Sequence, residues 1–164
     1  MELTSTLHRA PQASFRQALR QGLAPDGGLY QPVGLPAIGQ ADLDAWRGLP
    51  FDAVARHISR RLLEGEFATE VIDRAVADAL NFPVPVRPLG GGLFLLELFH
   101  GPTLAFKDVA LQLRGNLYAH QCRVRGETIN VLGATSGDTG AAAIHGLIGR
   151  PGTAIFILYP DGRV

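Results

Sequence analysis

The chain has 164 residues, enough for one domain with a real core or for a small domain plus part of another. Fifteen basic and fifteen acidic side chains balance to a formal net charge of zero, which leaves neither a nucleic-acid footprint nor a polybasic membrane anchor. The longest apolar runs, over 93–99 and 154–159, are too short to span a bilayer.

Glu2 and Arg9 precede any apolar stretch, so the N-terminus does not read as a signal peptide, and the lone Cys122 cannot form an internal disulfide. These features point to a soluble, cytoplasmic protein. The first half reads as mostly helical. Phe15, Ala18 and Leu19 form a short apolar stripe behind a cap at Ser14. Pro25-Asp26-Gly27-Gly28 is a turn that ends this unit. Phe51, Val54, Ala55, Ile58 and Leu62 repeat at helical spacing, and Thr69 is expected to cap a further helix that buries Ile72, Val76 and Ala79. His8 and His57 lack neighbours at ligand spacing, so no metal site is expected.

Phe82-Pro83-Val84-Pro85-Val86-Arg87-Pro88 marks the expected domain boundary, with a helical domain over 1–82 and an α/β domain over 83–164. Alternate prolines exclude helix and favour an extended or edge segment, and Gly90-Gly91-Gly92 follows as a turn. Beyond it the pattern alternates: strands at 93–98, 128–132 and 153–159, helices at 106 to about 120 and at 140–148. The strands are continuous apolar runs, the pattern of a parallel sheet covered on both faces.

All the cationic side chains but one are arginine; Lys107 is the only lysine. Guanidinium stays protonated and delocalised, so arginine cannot stand in where a nucleophilic amine is needed. Lys107 lies in the loop from Phe99 to Asp108, and strand C-termini are where open α/β sheets place ligands. It is expected in the first turn of the next helix, among Leu104, Ala105, Phe106 and Val109. Apolar surroundings and the positive end of a helix both favour a neutral amine, suited to a Schiff base with an aldehyde cofactor. The plainer reading is a lysine that reaches solvent, with Asp108 as a helix-start carboxylate.

A second loop, Gly133-Ala134-Thr135-Ser136-Gly137-Asp138-Thr139-Gly140, again joins a strand to a helix. Small residues bare its amides, and the hydroxyls of Thr135, Ser136 and Thr139 add donors for a carboxylate or phosphate guest. The plainer reading is an ordinary turn with Asp138 as helix cap. A dinucleotide site is a rival, but the glycines run G-x3-G-x2-G rather than G-x-G-x-x-G, and Asp138 would face a pyrophosphate.

The segment Glu97-Leu98-Phe99-His100-Gly101-Pro102-Thr103-Leu104-Ala105-Phe106-Lys107-Asp108 resembles the cofactor-lysine motif of the threonine synthase family. Thr135-Ser136-Gly137-Asp138-Thr139-Gly140 resembles that family's substrate-carboxylate loop, Leu158-Tyr159-Pro160 matches downstream, and Gly22-Leu23-Ala24-Pro25-Asp26-Gly27-Gly28-Leu29-Tyr30 resembles its N-terminal domain. Many relatives carry an arginine directly after the Ser5-Thr6 pair, where this chain has Leu7-His8.

The resemblance implies the start of a three-layer, fold-type-II domain that uses pyridoxal 5'-phosphate. It also implies a carbon–oxygen lyase that turns O-phospho-L-homoserine and water into L-threonine and phosphate. Lys107 would bind the cofactor covalently and then act as general base, with Phe106 and Asp138 beside the cofactor. Thr135, Ser136, Gly137, Asp138 and Thr139 would hold the substrate carboxylate, and His100 and Thr103 would line the pocket, with a purely structural role as the alternative for His100. A glycine-asparagine loop for the cofactor phosphate and a later hydroxyl residue facing the pyridine nitrogen do not occur in these residues. The chain therefore reads as a fragment expected to be inactive and to fold poorly by itself. The competing readings are a fragment of a Rossmann-type oxidoreductase and a non-catalytic helical interaction domain, and an absorbance spectrum with cofactor separates them.

Overall fold

In the computed structural model, which describes residues 1–162, two compact units emerge, Met1–Arg74 and Ala75–Val164. Arg163 and Val164, the last residues of the second expected domain, lie outside the described residues. The division falls inside a helix, after Arg74.

The first unit is less helical than expected. Strands β1 (Glu2–Ser5), β2 (Ala13–Ser14) and β3 (Tyr30–Pro32) form an antiparallel sheet in the order β2-β1-β3. Leu3 and Ser5 turn inward, and the side chain of Ser5 donates to Asp26 at 2.7 Å. That bond pins the predicted Pro25–Gly28 turn onto β1. Gly28 is required there, because a Cβ would lie 2.1 Å from the Ser5 hydroxyl.

Helix α1 (Phe15–Gln21) starts as its sequence dictates: Ser14 accepts from the Gln17 amide while the Gln17 side chain accepts from the Ser14 amide. Helix α2 (Gln40–Trp46) joins α3 (Phe51–Leu62) through Arg61, which grips both carboxylate oxygens of Asp42 and stacks over Trp46 at 5.3 Å. The Arg61 hydrogen bonds hold the Asp42 carboxyl down at about 2. Helix α4 (Thr69–Ala79) buries Ile72, Val76 and Ala79 as predicted. Thr69 is its first helical residue rather than its cap, since the amides of Val71 and Ile72 both donate to Ala68.

Glu66, nearly fully buried, accepts from the amides of Phe15 and Arg16 at 3.0 and 3.3 Å and pairs with the N-terminal ammonium at 3.2 Å. It thereby supplies the anion that the start of α1 favours. Burial pushes its carboxyl up, but these donors together pull it below the ordinary 4.5. A depressed folded-state value means the stabilisation is complete above 4.5 and is lost as pH falls through the folded value. Glu66→Gln is therefore expected to cost about 1–3 kcal/mol at neutral pH, with the penalty shrinking as urea unfolding is repeated towards about pH 3. A penalty independent of pH would exclude the charge from this role.

In the second unit, β4 (Val86–Gly90) and β5 (Leu93–Leu96) form an antiparallel hairpin, bulged between Pro88 and Gly90. This corrects the expectation that the 93–98 run joins a covered parallel sheet. Gly90, Gly91 and Gly92 all take positive φ and reverse the chain, so the proline-rich segment pairs with its immediate neighbour. Every residue of the hairpin is exposed.

A βαβ unit follows. Strands β6 (Ile129–Ala134) and β7 (Thr153–Leu158) pair in parallel, register Ile129 to Thr153, through the crossover helix α6 (Asp138–Leu147). Helix α5 (Asp108–Arg125) precedes them and ends on Gly126 in the left-handed conformation. Its Leu117, Tyr118, Ala119 and Cys122, with Ala142 and Leu147 of α6, are buried. Among the described residues no helix is long and apolar enough to cross a membrane.

Candidate active site

The two loops singled out in the sequence lead into α5 and α6, and their side chains meet: the Lys107 ammonium donates to the Thr139 hydroxyl. Lys107 occupies the cap position of α5 (φ −69°, ψ −13°), one residue before the first turn where it was expected. Its Nζ lies 5.6 Å from the centre of the exposed Phe106 ring. Thr139 is the second residue of α6, so both helices direct their N-terminal ends at the place where the loops join. Positive peptide dipoles and amides without intrahelical acceptors make such a place attractive to an anion.

The loop before α6 is built to stay open. Thr135 extends the sheet by donating its amide to Leu158 at 3.0 Å, and its hydroxyl accepts from the Gly137 amide at 3.4 Å. Gly140 must be small, because a Cβ would lie 2.6 Å from the Thr135 methyl. Ser136, Gly137, Asp138 and Thr139 are all exposed. Gly137, not Asp138, caps α6, and Asp138 is its first residue with an exposed carboxylate. The capping alternative for Asp138 therefore does not describe this helix.

Two predicted pocket residues are already engaged. His100 Nε2 lies 2.7 Å from Glu97, whose carboxylate also meets Arg87 at 3.4 Å. The His100 hydrogen bond, with Arg87 nearby, keeps the Glu97 carboxyl below its ordinary value. Thr103 uses both its amide and its hydroxyl on Asp108, at 2.8 and 2.7 Å. Sequence reading gave Glu97 no role and Asp108 only that of a helix-start carboxylate, not of a partner for Thr103. For Asp108 the signal was present: a carboxylate five residues after a threonine in a tight, glycine-started loop.

The chain resembles known proteins along its whole length. Residues 2–80 match the family model of the threonine synthase N terminus. Across all of its length the chain is 43% identical to threonine synthase of Pseudomonas aeruginosa, and across 98% of it 42% identical to that of Saccharomyces cerevisiae. In sequence and fold the chain is similar to the N-terminal part of threonine synthases. It spans 36% and 35% of the length of those two relatives. The crystal structure of pyridoxal-phosphate-bound threonine synthase from Brucella melitensis superposes with a TM-score of 0.94 at 43% identity, covering all of this chain and 36% of that one. Threonine synthase from Escherichia coli gives 0.87 at 36% identity, covering 99% of this chain and 37% of that one. The fold is thus that of the N-terminal part of these enzymes.

Proposed function

We propose that this chain provides the lysine and substrate-carboxylate loops of a cytoplasmic threonine synthase, a carbon–oxygen lyase that converts O-phospho-L-homoserine and water to L-threonine and phosphate. The observation that carries the reading is the bond between Lys107, the only lysine, and Thr139 of the second loop. Residues 1–82 would form the family's N-terminal domain and 83–164 the beginning of the catalytic one, a division supported by the family model ending at residue 80.

The residues fit pyridoxal 5'-phosphate in their chemistry: a primary amine for the aldehyde, donors for an anion, and Phe106 beside the amine. When bound, that group supplies an electron sink for negative charge at the substrate Cα. Lys107 would hold it covalently and, once freed by the substrate amine, take the Cα proton at Nζ. Thr135, Ser136, Gly137 and Thr139 would orient the substrate carboxylate with amides and hydroxyls at the start of α6. Asp138 would place its charge beside the cofactor. His100, steadied by Glu97, would face the pocket, and Thr103 would shape the lysine loop through Asp108.

The test is a cofactor titration of the intact protein followed by absorbance, with threonine formation assayed in parallel. A visible band and threonine-forming turnover are expected; a protein that gives neither overturns the assignment.

Asp138→Ser separates chemistry from helix stability. Loss of a carboxylate at the first turn of α6 should cost no more than about 1 kcal/mol. Turnover should fall about tenfold or more, equal to about 1.4 kcal/mol of barrier. Unchanged turnover would leave Asp138 with no role beyond the helix dipole.

A further inference from the structure

We infer that Asp108 is a positioning residue for the Lys107 amine, acting as the buried clasp that closes the loop on which the lysine stands. The inference rests on the proposed role of Lys107.

Asp108 is completely buried, which is unusual for a carboxylate at the start of a helix, where an exposed one would serve the dipole equally well. Burying a charge without compensation is costly. Here the compensation comes from within the loop: the Thr103 amide and hydroxyl both donate to the carboxylate. The loop is folded tightly around it. A Cβ on Gly101 would lie 2.5 Å from Asp108 Oδ2 and 2.7 Å from its Cβ. The Leu104 amide returns to Gly101 at 3.0 Å, and the Asp108 amide to Ala105 at 3.0 Å.

Leu104 is held at φ 59°, a left-handed conformation that a branched side chain adopts only when its surroundings over-determine it. Residues 101–108 therefore form a small ring with Asp108 at its centre and Lys107 on its rim. Opening the ring would let Leu104 relax and swing the cap residue of α5 away from Thr139. The Lys107–Thr139 bond is itself exposed and short of other support, so it depends on the clasp.

The experiment compares the intact protein with Asp108→Asn, Asp108→Ala and Thr103→Val. Acylation of Lys107 in the cofactor-free protein is measured by mass spectrometry, well below the melting temperature and with the N-terminal amine as internal reference. Borohydride trapping of pyridoxal phosphate is measured alongside. Asp108→Ala should raise relative acylation of Lys107 about tenfold, the size of one net hydrogen bond, and reduce trapping by a similar factor. Asp108→Asn keeps an acceptor for the Thr103 amide and should recover much of both. Thr103→Val should shift both in the direction of Asp108→Ala, so the inference stays testable if the alanine variant does not fold. Variants that melt earlier but leave relative acylation within about twofold would make Asp108 merely structural and overturn the inference. Failure of the unmodified protein to trap cofactor on Lys107 would instead sink the proposed function, while the acylation comparison would still report on the clasp.

Discussion

Lys107→Ala is expected to abolish covalent cofactor capture and to cut threonine formation by a factor on the order of 10³ or more, as removal of a covalent-catalysis residue does. No other lysine in these residues can replace it. Lys107→Arg should be no better, because a delocalised guanidinium does not condense with an aldehyde under these conditions. The fold should survive both changes. The Lys107 side chain is only half-buried and its contacts, a hydroxyl and the face of an exposed ring, are of the kind that contribute well under about 1 kcal/mol. Borohydride reduction followed by peptide mapping, with a melting curve as control, checks both halves. A reduced cofactor found on any other residue would remove Lys107 from the site.

Local rules made part of this legible in the sequence. Ser14 with Gln17, the stripe from Phe51 to Leu62, and the buried side of α4 follow from spacing between near neighbours, and the structure has them. Thr69 was displaced by one residue because Ala68 supplies the first accepting carbonyl, a choice that side-chain identity does not announce. The sheet of the first unit was missed for a different reason. β1 pairs with β3 across a separation that encloses a helix and a turn, and neither strand is long enough to show its alternation. The 93–98 run was assigned to the wrong partner, since its composition reports burial propensity and not which strand it meets.

At the site, Lys107 stood out because the chain spells every other cation as arginine. The substrate-loop residues stood out because small and hydroxyl residues cluster at a strand-to-helix turn. His100 and Thr103 were harder. Their types fit a pocket, but what they do depends on Glu97 and Asp108, and a sequence records possible donors without recording which acceptor wins. The two interior helix glycines, Gly115 and Gly146, were passed over entirely. A glycine inside a helix costs about 1 kcal/mol relative to alanine, which is itself a signal that something else needs the space.

That space has a definite occupant, and Gly115→Ala is expected to be among the most damaging small changes in the second unit. A Cβ on Gly115 would lie 1.9 Å from the Gly146 carbonyl oxygen, 2.8 Å from its carbon and 2.9 Å from Arg150 Nε. The obstacles are backbone, and the same oxygen already accepts from Arg150 at 2.5 Å, while Arg150 also donates to Asn116 at 2.5 Å. No rotamer change can clear the clash, so α5 and α6 must move apart by more than an ångström and the Arg150 bridge must break. Overpacking of this kind costs about 3 kcal/mol or more, against a helix-propensity gain of about 1 kcal/mol, so the net loss should be about 2 kcal/mol or more. Gly146→Ala should behave alike, since its Cβ would lie 2.6 Å from the Leu111 carbonyl oxygen. The same two helices carry Lys107 and Thr139 at their starts, about two turns from the contact, so separating them should also loosen the Lys107–Thr139 bond. Gly34→Ala is the control, because nothing lies within 4 Å of its Cβ and its φ is ordinary. Urea unfolding of the three variants checks the stability order, and borohydride trapping checks the site. Gly115→Ala with the stability of Gly34→Ala would mean that α5 and α6 do not meet through their backbones.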